Sequence, residues 1–178
     1  MLSWRITKIV AAAVLLGALV FFSNSGLIKN ARKIAIKKIG DKMGECIFCK
    51  IINGKIPAAK VYEDSSIVSF LDIMPANKGH CLVVPKEHYE TFLDISDEGI
   101  KNLILAAKKV TKALSLSIGS GSYNLVMNNG KEAGQVVAHA HIHLIPRFKD
   151  DRLRIKWSHK KYQGNEMKEL QEKIRKFL

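Results

Sequence analysis

Acidic residues are scarce in this chain. Sixteen Asp and Glu stand against 29 Lys and Arg, a formal charge of +13. The shortage is not uniform: residues 43–146 balance at zero, while residues 1–42 carry +7 and residues 147–178 carry +6. A basic surface spread over the whole molecule is therefore excluded. Polyanions or anionic lipid would meet the two ends, not the neutral middle. The plainer reading of the C-terminal excess is a solvated terminal helix. Cysteine is rare too, and three residues (Cys46, Cys49 and Cys81) cannot staple a disulfide scaffold. Internal repeats and low-complexity tracts are absent, which excludes a solenoid or a compositionally disordered chain. What remains is 178 residues, 47% of them hydrophobic, enough for one domain with its own core plus an extension.

Charge is missing altogether from Ile9 to Ile28, and Ile9–Phe22 (IVAAAVLLGALVFF) is continuously apolar. That uncharged stretch is just long enough to span a bilayer as an N-terminal apolar helix. Arg5 and Lys8 precede it; Lys29, Arg32, Lys33, Lys37, Lys38 and Lys42 follow it. The positive-inside bias predicts a membrane anchor through residues 9–28 with the following domain in the cytoplasm. Two alternatives stay open. Residues 1–22 read as a signal peptide cleaved near Ser23–Ser25. Alternatively, residues 1–42 are an upstream extension of a cytoplasmic protein that starts at Met43. The expected organisation is an anchor or extension over 1–42, a domain over 43–160 and a basic C-terminal helix over 161–178.

The segment HAHIHLIPR, His139–Arg147, places three histidines at alternate positions. A period of two is the strand period, so His139, His141 and His143 share one face while Ala140, Ile142 and Leu144 turn to the other. Three imidazoles on one face need a shared purpose. Cys46 and Cys49 form a CxxC pair. A redox pair of the thioredoxin type would open a helix after a strand in a βαβ pattern, and that pattern is lacking. Half a zinc site needs two further ligands, and His88 and His139 are available for a closed Cys2His2 set holding structural zinc. Cys81, within HCLVVP, reads as an inert core residue.

Periodicity predicts a short helix over 46–53, strands over 60–63, 66–72, 80–85 and 122–128, and the histidine strand. It also predicts a long helix over 97–116 and a last helix over 166–177. Clustered strands with one long helix between them give an α+β class.

In family order the chain also carries CIFCKIINGKIPA at 46–58, FLDI at 70–73, KGHCLVVPKEH at 78–88, NNG at 128–130 and AGQ at 133–135. Together with HAHIHLI these resemble the histidine triad (HIT) superfamily of nucleotide hydrolases and transferases, over about residues 43–160. The resemblance implies an α+β meander with an antiparallel sheet and a homodimer whose sheets form one layer. It also implies a purine nucleotide site in each subunit, with no specific nucleic acid as partner. By resemblance His141 is the nucleophile that forms a nucleotidyl-histidine. His143 and Gln135 donate to the phosphate or the leaving atom, and His80 orients His143. Asn128 and Gly134 lie by the phosphate, Asp72 receives the ribose hydroxyls, and Phe48, Ile52 and Ile73 flank the base. The implied reaction releases AMP or GMP from a phosphoramidate or dinucleoside polyphosphate. A nucleotide-binding scaffold with slow turnover, and a nucleic-acid deadenylylase of the aprataxin kind, are the alternatives. One position departs from the pattern: a hydroxyl residue follows the Gly-Gln pair in the two main branches, and Val136 stands there in this chain.

Overall fold

A computed structural model describes residues 46–154 and 158–178. By its contacts the chain divides into a unit ending at Phe148 and a second unit, Lys149–Leu178.

The first unit begins with α1 (Ile47–Ile52), capped by the Cys46 thiol, which accepts the Cys49 N–H. Strands β1 (Lys60–Glu63), β2 (Ile67–Leu71) and β3 (Cys81–Pro85) follow as an antiparallel meander. A short 3₁₀ turn (Phe92–Asp94) leads into α2 (Asp97–Ile118). Ser96 caps α2 by accepting the Gly99 N–H, and Asp97 and Glu98 complement the dipole of its first turn. Gly119, at φ 67°, ends it in a left-handed conformation that costs glycine least. Strands β4 (Ser122–Val126) and β5 (Ile142–Arg147) complete a sheet of order β1-β2-β3-β5-β4. The expected meander thus holds for three strands only. β5 inserts between β3 and β4, because its burial is nearly continuous while β4 is mostly exposed and suits an edge.

Strand alternation sorts the core into two faces. On one, Ile67, Cys81, Val83, Ile142 and Leu144 meet Leu103, Ala107 and Val110 of α2. On the other, Val68, Phe70, Leu82 and Val84 meet Phe48 and Ile51 of α1. Ala140, Ile142 and Leu144 face α2 as expected, which leaves the histidines for the α1 side. Cys81 is fully buried and burial pushes its thiol up to about 11, so it stays inert. In the second unit, α3 (Glu166–Arg175) exposes every residue and carries three acidic and three basic side chains.

The membrane-anchored, cytoplasm-facing placement is corrected. No helix among the described residues is long and apolar enough to cross a membrane. The longest, α2, has 22 residues but carries Asp97, Glu98, Lys101, Lys108, Lys109 and Lys112 on its solvent side. The apolar helix expected over residues 9–28, and the start at Met43, lie outside the described residues.

Asp64 closes the β1–β2 hairpin. Its carboxylate accepts the N–H groups of Ser66 (2.8 Å) and Ile67 (2.7 Å), the Ser66 hydroxyl (3.2 Å) and the Tyr62 hydroxyl (2.6 Å). Partial burial alone would raise its pKa, but these donors outweigh burial and hold it down at about 2. A depressed carboxyl stabilises the fold above its ordinary range and loses that contribution as pH falls through the folded-state value. Asp64→Ala is therefore expected to cost about 2 kcal/mol in denaturant unfolding at neutral pH. The difference from wild type should shrink progressively below pH 4.

Candidate functional site

The regular part of β5 starts at Ile142, not at His139. The preceding segment is tied elsewhere: His139 N–H donates to Val137 O (2.8 Å) and Ala140 N–H to Tyr89 O (2.7 Å). The three histidines keep their alternation but serve two places. His139 turns into a cluster with α1, and His141 and His143 line a cavity of about 510 Å³ on the α1 side of the sheet.

Hydrogen bonds fix the tautomers. His141 Nδ1 lies 2.6 Å from the His139 carbonyl oxygen, so Nδ1 carries the hydrogen and the lone pair is on Nε2. His80 Nδ1 accepts the Ala76 N–H at 3.1 Å, so its hydrogen is on Nε2 and is donated to His143 Nδ1 at 3.0 Å. The remaining hydrogen of His143 is then on Nε2. Cross-strand register explains the pairing: Leu82 sits opposite His143, and His80 precedes it by two residues on the same face. Burial lowers the pKa of His80, with Asp72 opposing, and also that of His141. Burial, reinforced by His141 and His80, pushes His143 down to about 4. All three rings are therefore neutral at neutral pH.

The cavity joins this polar end to an apolar wall. Phe48 meets the His141 ring edge-on, with centroids 5.1 Å apart, and meets Phe70 at 5.6 Å. Asp72, Ile73, Asn128 and Gly134 line the cavity. One Asp72 oxygen accepts the Met74 N–H at 2.8 Å, and the other lies 3.7 Å from His80 Nδ1, beyond hydrogen-bond reach. Gly134, at φ 82°, closes the 3₁₀ turn Lys131–Ala133 and brings its carbonyl to 3.4 Å from Asn128 Nδ2.

Two expected residues stand elsewhere. Ile52 packs against the α1-side core instead of lining the cavity, and Ile51, with Ile56, Ala58 and Val137, takes that position. Spacing does not separate the two, because Ile51 at i+3 and Ile52 at i+4 both neighbour Phe48 on a helix. Gln135 does not line the cavity. Its amide donates to Glu90 O (2.6 Å) and Val137 O (3.0 Å), and its carbonyl accepts the Gly130 N–H (2.7 Å). Both of its hydrogens are thus committed to backbone, and the side chain is a strut inside the loop.

Cys46, Cys49, His88 and His139 bring one ligand atom each within 4.8 Å of the others. Cys46 Sγ is 3.4 Å and Cys49 Sγ 3.6 Å from His139 Nδ1; Cys49 Sγ is 3.3 Å and His139 Nδ1 3.2 Å from His88 Nδ1. A tetrahedral zinc with two thiolates and two imidazoles has ligand–ligand edges of about 3.3–3.8 Å, so the donor set fits. His139 Nε2 donates to Pro85 O at 2.9 Å, which aims the Nδ1 lone pair into the cluster. Burial, with the neighbouring Cys46, pushes the Cys49 thiol up to about 12 when only protons compete for it.

The HIT domain family matches residues 53–150. This chain belongs to that family. Among its relatives is the adenosine 5′-monophosphoramidase of Schizosaccharomyces pombe, 43% identical over 130 residues, covering 72% of this chain and 95% of the relative. Among solved structures, a HIT family member from Bacillus subtilis shares 40% identity, with 75% of this chain and 96% of that one covered at a TM-score of 0.70. A zinc-bound histidine triad family protein from Mycobacterium smegmatis shares 32% identity, with coverage of 65% and 84% and a TM-score of 0.61.

In this HIT domain the Gln135 strut holds the loop that carries Asn128 and Gly134. Gln135→Ala leaves the Gly130 N–H without its acceptor and removes two further bonds. The expected result is a stability loss of about 2 kcal/mol and a nucleotide affinity weakened by roughly tenfold. Denaturant unfolding and equilibrium binding of a nucleoside monophosphate check it. An unmoved affinity would show that the loop does not contribute to binding.

Proposed function

We propose that this HIT domain is a hydrolase that releases a purine nucleoside monophosphate from a phosphorus-linked leaving group, through a nucleotide held covalently on His141. The observation that carries the reading is the 2.6 Å bond from His141 Nδ1 to the His139 carbonyl, which reserves the Nε2 lone pair for the cavity. A neutral imidazole approaches an anionic phosphorus without adding like charge. The Nε2 lone pair forms the P–N bond as the bond to the leaving group breaks, and the leaving group departs with that electron pair. Water then attacks the phosphorus, the electron pair of the P–N bond returns to Nε2, and one proton of the water is released. His143 Nε2–H is the donor beside the reacting phosphoryl group, held by His80. The apolar wall of Phe48 and Ile51 receives the base, and Asp72 the ribose hydroxyls. The phosphoramidase activity named for the fission-yeast relative supports the same chemistry, with phosphoramidates and dinucleoside polyphosphates as candidate substrate classes.

Cys46, Cys49, His88 and His139 would hold one zinc as a structural crosslink between α1, the segment after β3, and the residue whose carbonyl orients His141. The zinc-bound mycobacterial relative supports that assignment. A homodimer joined through the exposed β4 edge is in keeping with the family resemblance and leaves the cavity face accessible.

His141→Ala should lower turnover by about three orders of magnitude or more while nucleotide affinity stays within roughly threefold, because only the transition state needs that nitrogen. Steady-state kinetics paired with equilibrium binding decides it; turnover that survives the substitution refutes the covalent route. For the metal, elemental analysis is expected to find one zinc per chain, absent from His88→Ala. Strong chelators should lower the thermal midpoint of wild type but not of that variant. Zinc-free wild type of unchanged stability would overturn the assignment.

A further inference from the structure

The Cys46/Cys49 pair is placed to do more than hold a metal. Cys46 is the N-cap of α1, and Cys49, three residues on, is buried and donates its N–H to Cys46 Sγ at 3.5 Å. The two sulfurs lie within 4.8 Å of each other, close enough for side-chain rotation to bring them together. A second cavity, of about 380 Å³, reaches the pair from the surface. Cys46, His88 and Glu90 line it, and Ile47 and Val136 on its wall are exposed. Cys46 itself is partly exposed. Cys81, the remaining cysteine, is fully buried on the α2 side of the sheet, so it competes for neither sulfur.

The same pair brackets a wall of the nucleotide cavity. Phe48 stands between the two cysteines in the chain, in the first turn of α1. Its ring meets His141 edge-on at 5.1 Å and His139 at 5.9 Å. The sulfurs of Cys46 and Cys49 lie 3.4 and 3.6 Å from His139 Nδ1, and the His139 carbonyl holds His141 Nδ1 at 2.6 Å. A bond between the sulfurs withdraws both from His139 and moves the turn that carries Phe48. One covalent event therefore acts on the nucleophile and on the base wall together.

We infer that Cys46 and Cys49 form a peroxide-sensitive thiol pair, whose oxidation to an intramolecular disulfide disables the neighbouring nucleotide site and whose reduction restores it. The effect on turnover rests on the hydrolase reading above; the thiol chemistry does not. Coordination to zinc keeps both sulfurs as thiolates, the form that attacks a peroxide. Cys46 Sγ, the more exposed of the two, attacks one peroxide oxygen. The O–O bond breaks, hydroxide leaves, and Cys46 becomes a sulfenic acid. The Cys49 thiolate then attacks that sulfur, the S–O bond breaks, and a second hydroxide leaves. Two thiolates, one hydrogen peroxide and two protons give one disulfide and two waters, with two electrons passing from sulfur to oxygen. Without its two thiolates the Cys/His cluster no longer retains zinc.

The test exposes the full-length protein, reduced and supplied with zinc, to hydrogen peroxide. Three readouts run together: peptide mapping after alkylation of the free thiols, zinc release to a colorimetric chelator, and turnover of adenosine 5′-phosphoramidate. The expected products are a linked Cys46–Cys49 peptide, lighter by two hydrogens, and zinc released in step with it. Turnover should fall by roughly a hundredfold, the scale of a displacement of about 1 Å among reacting groups. Dithiothreitol with added zinc should reverse all three changes, and Cys81→Ala should respond as wild type does. Thiols at 46 and 49 that stay unlinked under peroxide would overturn the inference, as would a disulfide that leaves turnover unchanged. Both outcomes would leave the hydrolase reading standing. A reduced protein without turnover would instead bring down the hydrolase reading, and the switching of the site with it.

Discussion

The bond between the His139 carbonyl and His141 Nδ1 sets the orientation and tautomer of the ring on which the proposed chemistry turns. The peptide that supplies the carbonyl is held from both ends. Its N–H, from Ala140, donates to Tyr89 O at 2.7 Å, while its oxygen takes the His141 hydrogen at 2.6 Å. The His139 ring is fully buried, bonded to Pro85 O on one side and set among Cys46, Cys49 and His88 on the other. One residue therefore links the Cys/His cluster to the lone pair of the next histidine. Rotating its peptide would move both at once, which is why the segment is anchored to a loop carbonyl instead of to the neighbouring strand.

Backbone groups do this work throughout the histidine array. Pro85 O sets His139, His139 O sets His141, and Ala76 N–H sets His80, which in turn sets His143. A side-chain carboxylate in the same positions would raise imidazole basicity and favour the cation. A backbone carbonyl fixes the tautomer without adding a full charge. Burial works in the same direction, and the one carboxylate among the described residues lining the cavity, Asp72, stands 3.7 Å from His80 Nδ1. The result is a line of neutral rings facing a place where an anion would sit.

Much of this was legible in the sequence, for reasons that differ by residue. Alternation in HAHIHLI separated Ala140, Ile142 and Leu144 from the histidines because a strand admits only two faces. Helix α2 was readable from its apolar period, its acids at the start and Gly119 at its end. The Cys46/Cys49 pair with His88 and His139 was found by counting the ligands that a closed tetrahedral site requires. Other features have no local signature. The place of β5 between β3 and β4 depends on relative burial across the whole sheet. The choice of Ile51 over Ile52 depends on the rotation of a helix of six residues. Gln135 takes its partners from Val137, two residues on, Gly130, five residues back, and the distant Glu90, so its type and position are equally compatible with a phosphate donor and with a strut. The N-terminal apolar stretch was argued from its uncharged length and the bias of its flanking charges, yet the described helices contain no membrane span.

The strut role of Gln135 has a consequence for how the rim of the cavity is built. A loop that carries Asn128 and Gly134 to the cavity must hold its shape without a core of its own. Here the resistance comes from three hydrogen bonds made by one amide, to Gly130, Glu90 and Val137, which span both ends of the loop and the segment before α2. A side chain that reached into the cavity instead would leave those part-buried backbone groups without this partner. The geometry resolves that conflict in favour of the loop. It fixes the backbone of the loop that brings Asn128 and Gly134 to the rim of the cavity.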